Sequence, residues 1–169
     1  MASWGGIDVI PLRPGETRQR AVDRVYAGGT VFGMDDDGEM FIEQNPGAPE
    51  SMELVTRAKR RWMLQAASIL QRLRPGWEHT SSTVGPGRRW PWMQSLEHPD
   101  SIMLAELTGD YMNIVDGGTG LADDAEWRFW WSTLRTFARL PCAIFDPDQS
   151  QLVAMSLAAR AARERYGFV

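Results

Sequence analysis

Ser101-Ile102-Met103-Leu104-Ala105-Glu106-Leu107, followed across Gly109-Asp110 by Tyr111-Met112-Asn113-Ile114-Val115, reads as two strands joined by a tight turn. A loop this short can join only antiparallel neighbours, so the two runs should pair with each other. A second unit of the same kind lies upstream. Thr30-Val31-Phe32-Gly33-Met34 and Glu39-Met40-Phe41-Ile42-Glu43 flank Asp35-Asp36-Asp37-Gly38, where Asp-Gly supplies the positive φ of a hairpin turn. Local hairpins, in place of strands alternating with crossover helices, predict an α+β domain: an antiparallel or mixed sheet with helices packed on it.

The helices announce themselves by period. Over 51–73, Met52, Val55, Trp62, Ala66, Ile69 and Leu73 recur at three- and four-residue steps and form one apolar stripe, with the basic cluster Arg57, Lys59, Arg60 and Arg61 partly beside it. A shorter helix is expected over 16–27, with Ala21, Val22, Val25 and Tyr26 on one side and Gly28-Gly29 as its stop. Over 124–139, Trp127, Trp130, Trp131, Leu134 and Phe137 supply a buried side, and Asp123 with Glu126 has the spacing of a capping box. Three aromatics so close together predict that Trp130 or Trp131 is partly exposed.

Pro141 ends that helix, and Cys142-Ala143-Ile144-Phe145 reads as a short buried strand. Asp146-Pro147-Asp148-Gln149 carries helix-start signals, which favours a helix from that point through Leu152, Met155, Ala159, Ala162 and Tyr166. The alternative makes 146–150 a turn between two strands, with the helix starting at Ser156. Residues 1–15 read as an irregular or short extended entry. The long stretch 77–100 shows strand character only near 77–83.

The bulk numbers narrow the function. A length of 169 residues suits one domain, and 43% hydrophobic with 24% charged residues is ordinary globular composition. Eighteen basic against twenty-two acidic side chains, net −4, argues against nucleic acid as the partner, although a local basic patch stays open. Cys142 is the sole cysteine, so no intramolecular disulfide forms. With no long apolar run and no secretory pattern in residues 1–13, a cytoplasmic protein without a membrane segment is expected.

No catalytic set is legible. An EF-hand register on Gly38 puts Gly33 where an acid is needed and Gln44 where a bidentate Glu is needed, so Asp35–Asp37 reads as a solvated turn. The loop Asp116-Gly117-Gly118-Thr119-Gly120 lacks a phosphate-binding pattern, and Asp116, Asp123 and Asp124 would repel phosphate. No cofactor or metal is expected. His79 or His98 could work with Glu78, Ser81, Ser82 or Asp100 in a hydrolase-type site, but no nucleophile elbow or metalloprotease helix accompanies them, and both are expected to be exposed. Cys142 reads as structural.

What stands out is eight tryptophans. Trp90 and Trp92, within Arg88-Arg89-Trp90-Pro91-Trp92-Met93, either tuck a long loop onto the domain or face a partner; Trp and Arg dominate protein interfaces. The expected partner-binding residues are therefore Asp35, Asp36, Asp37, Arg88, Arg89, Trp90 and Trp92. Beside this stands the hydrolase reading around His79.

Asp123-Asp124-Ala125-Glu126-Trp127, an amphipathic helix, and then Ala143-Ile144-Phe145-Asp146-Pro147-Asp148-Gln149 form a layout that resembles the C-terminal part of some small bacterial immunity proteins. It spans about fifty residues. The resemblance implies a protein partner, a cognate toxin, neutralised by covering its active site; oligomeric state is left open.

Overall fold

The computed structural model describes residues 6–27, 30–34, 40–44, 56–83, 93–101, 104–115, 124–147 and 149–166. In chain order the elements are β1 (Gly6–Pro11), α1 (Arg18–Ala27), β2 (Thr30–Met34), β3 (Met40–Gln44), α2 (Arg57–Leu73), β4 (Glu78–Thr83) and β5 (Met93–Glu97). They continue with β6 (Leu104–Thr108), β7 (Met112–Val115), α3 (Asp124–Ala138), β8 (Cys142–Asp146), β9 (Gln151–Leu152) and α4 (Ala159–Tyr166). Both expected hairpins are present: β6 pairs with β7 and β2 with β3, antiparallel in each case.

Seven strands form one open antiparallel sheet in the order β4-β5-β6-β7-β1-β8-β9, and β2-β3 stands as a separate pair. The sheet is built around β1, the segment expected to be an irregular or short extended entry. It lies between β7 and β8, with Ile7 opposite Ile114 and Val9 opposite Ile144. A strand buried on both faces carries no alternating apolar and polar code, and this one is cut short by Gly6 and Pro11. β5 was equally silent in the sequence, since Met93-Gln94-Ser95-Leu96-Glu97 mixes polar and apolar side chains without a clear period.

Successive residues of each strand serve opposite faces. Ile7, Val9, Leu107, Met112, Ile114 and Ile144 join the core beneath α2, α3 and α4, while Ile10, Tyr111, Ala143 and Phe145 meet Ala21, Val22 and Val25 of α1. Complete burial of Leu134 or Phe137 in the larger core contributes roughly 1.5–3 kcal/mol each.

α2 starts at Thr56, whose hydroxyl accepts from the Lys59 backbone N–H at 3.2 Å, and it buries Trp62, Met63, Ala66, Ile69 and Leu70. Its end is turned by Gly76 at φ 112°, in the region that favours glycine. α3 runs antiparallel beside it. Trp62 meets Phe137 edge-on at 6.3 Å, and at the other end the Arg74 guanidinium donates to Glu126 at 2.9 Å and lies 4.0 Å above the Phe129 ring.

Two expectations are corrected here. Trp130 and Trp131 are both buried, at 2% and 1% exposure; Trp131 stacks on Trp127 and Trp130 packs tilted against it, while the Trp127 indole N–H donates to the Ala159 carbonyl. Positions 127, 130 and 131 share one helical face by their three- and four-residue spacing, so no crowding forces either one out. Glu126 accepts from Arg74 and from the Ser101 hydroxyl at 2.7 Å; its capping-box partner Asp123 lies outside the described residues.

The second correction concerns Asp146. It does not open a helix: its carboxylate accepts from the Gln149 N–H at 3.1 Å, Ser150 adopts φ 51°, and β9 returns antiparallel on β8. The helix begins only at Ala159. A short acidic side chain that caps a helix can equally close a turn, and pairing with β8 decides for the turn.

Candidate functional site

The expected partner-binding residues Asp35, Asp36, Asp37, Arg88, Arg89, Trp90 and Trp92 lie outside the described residues, as does the loop 116–123. The strands flanking the acidic turn do pair, with Met34 opposite Met40.

The histidines separate. His98, expected to be exposed, is buried: its Nε2 lies 2.9 Å from the Pro75 carbonyl and its Nδ1 accepts from the Asp100 N–H at 3.1 Å. A carbonyl can only accept and an N–H only donate, so Nε2 is the donating ring nitrogen and Nδ1 the accepting one. With Trp77 packed edge-on at 5.8 Å, His98 pegs the end of α2 to the strand layer. His79 is exposed on β4. Glu78 is its strand neighbour and therefore projects from the other face, so the pair does not converge as a hydrolase-type site would need. Cys142 is buried, and burial pushes its thiol up to about 12, with Arg18 pulling weakly the other way. Among the described residues no three His, Cys, Asp or Glu side chains gather as a metal would require.

Sequence reading missed a polar row inside the sheet. Asp8 on β1 sits opposite Asn113 on β7, Asn113 opposite Glu106 on β6, and Glu106 opposite Ser95 on β5. Asp8 is buried and accepts from the Asn113 amide at 2.6 Å and from the Tyr26 hydroxyl. Burial raises the Glu106 carboxyl above its ordinary range. Burial raises the Tyr111 phenol too, helped by the negative charge of Asp8. The four polar residues come from four strands, and only the register shows that they fall in line.

The exposed side of α2 is the other feature. Arg57, Arg60, Arg61, Leu64 and Arg72 are all exposed, and the helix's 17 residues include no Asp or Glu. Arg57, Lys59, Arg60 and Arg61 crowd its first turn, where the helix dipole disfavours cations by about 0.3–1 kcal/mol each. Lys59 is answered by Asp110 at 2.8 Å, its stem lying across Gly109, where a Cβ would come within 2.7 Å. Leu64 is 61% exposed.

Compared with family models, with curated proteins and with solved structures, this chain matches none of them.

Proposed function

We propose that this protein is a non-catalytic binding protein whose partner is another protein. The observation that carries the reading is the outward side of α2, where an exposed leucine sits among exposed arginines on a helix without a single carboxylate. Such a combination suits recognition: arginine makes planar, paired hydrogen bonds, and an apolar side chain held out of the core gains by being covered. Further support comes from the reactive side chains, which serve the fold. The His98 ring spends both nitrogens on backbone groups, and the Cys142 thiol is held in its protonated form by burial.

The finer form of the proposal is neutralisation of a bacterial toxin by covering its active site, in line with the immunity-protein layout of the C-terminal part. Asp35–Asp37 and Trp90 with Trp92 are the side chains this form assigns to the contact, the acids drawing in a basic site and raising the association rate. Co-expression with the product of the neighbouring gene tests it. A stable complex is expected, together with relief of that product's toxicity in cells. Turnover of a small molecule by the purified protein, lost on His79→Ala, would overturn the proposal in favour of an enzyme.

A further inference from the structure

We infer that the outward stripe of α2 docks onto an acidic protein surface that carries an apolar socket for Leu64. This rests on the reading above that the partner is a protein. Arg57, Arg61, Leu64 and Arg72 follow at steps of four, three and eight residues, which places them on one side of the helix, opposite Trp62, Met63, Ala66, Ile69 and Leu70. At 1.5 Å per residue the stripe is about 22 Å long, the reach of one helix or strand pair on a partner. Leu64 is the most exposed large apolar side chain among the described residues; Tyr26 and Leu152 reach 37% and 36%.

A solvated helix face ordinarily interleaves both signs, because glutamate and lysine four residues apart steady a helix. Here Arg57 and Arg61 are like charges four residues apart, at the end of the helix where the dipole already opposes them. The stripe therefore works against its own helix. Local rules broken in this way mark positions kept for contact.

Charge selects the partner's sign and Leu64 selects its class. Guanidinium forks match carboxylates pairwise. A phosphate backbone offers no apolar socket and would leave Leu64 unused. A lipid surface needs a continuous apolar face to insert, and on this stripe Leu64 stands among arginines and Ser68.

The test uses the full chain and a synthetic helical peptide bearing glutamates around an apolar ridge. Its glutamine counterpart, a short duplex DNA and phosphatidylserine vesicles serve as the other probes. The glutamate peptide is expected to bind, less tightly as salt rises, and about tenfold more weakly to the double variant Arg57→Glu/Arg61→Glu. Leu64→Gln is expected to weaken binding several-fold, and Arg20→Glu, on the exposed side of α1, to leave it unchanged. Unaltered tryptophan fluorescence and melting temperature show that the variants are folded. Equal losses with Arg20→Glu, no binding of the glutamate peptide, or preference for the duplex or the vesicles overturns the inference. If the neighbouring gene's product binds wild type and the α2 variants equally well, this surface is wrong while the protein-binding reading stands. If no protein complex forms at all, both fall.

Discussion

Asp8 and Asn113, 105 residues apart in the chain, face each other across β1 and β7, and the asparagine amide donates to the buried carboxylate at 2.6 Å. The amide lies over Gly6, where an added Cβ would fall 2.6 Å from the amide nitrogen and oxygen. A buried anion, its donor and the missing side chain thus form one unit. Asn113→Ala should destabilise the protein by about 1–3 kcal/mol, because it takes a donor from a buried carboxylate. Gly6→Ala should also destabilise, and less so when Asn113 is already alanine. Urea denaturation of the two single variants and the double variant measures this; strictly additive losses would show that the glycine and the amide do not interact.

Burial holds the Glu106 carboxyl above its ordinary value of 4.5, so the folded chain binds that proton more tightly than the unfolded chain does. As pH rises through the ordinary range the unfolded chain ionises first, and the folded state loses stability across that window. Glu106→Gln removes the loss. The variant should melt higher than wild type near neutral pH, and the advantage should vanish below about pH 4. A lower melting point for the variant at neutral pH would mean that the ionised carboxylate is held by a donor that outweighs its burial.

Thiol chemistry reads the core directly. With the Cys142 thiol at about 12 and its side chain buried, a disulfide reagent near neutral pH should react with the native protein only as fast as it unfolds. Addition of urea should bring the rate up to that of a free thiol. Immediate reaction of the native protein would contradict the placement of β8.

Much of the scaffold was legible. Trp62, Ala66 and Ile69 in α2, and Trp127, Leu134 and Phe137 in α3, repeat at helical spacing, and that spacing alone sets which side of each helix is buried. The β6–β7 hairpin was legible because its turn is local: Thr108 and Tyr111 close it with a backbone hydrogen bond of 2.9 Å. The candidate site was less so. The arginines of α2 were visible as a cluster, but their relation to Leu64 was not. His98 looked like a loop histidine because its partners, Pro75 and Trp77, come from another element.

By itself the sequence determined helices α1 to α3, both hairpins and the α+β class, since each follows from side chains within a few residues of one another. The central place of β1, the row from Asp8 through Asn113 and Glu106 to Ser95, and the turn at Asp146 were decided only by the tertiary structure. These depend on which strand lies beside which, and strand order is settled by burial shared among segments far apart in the chain. Local spacing carries no record of that.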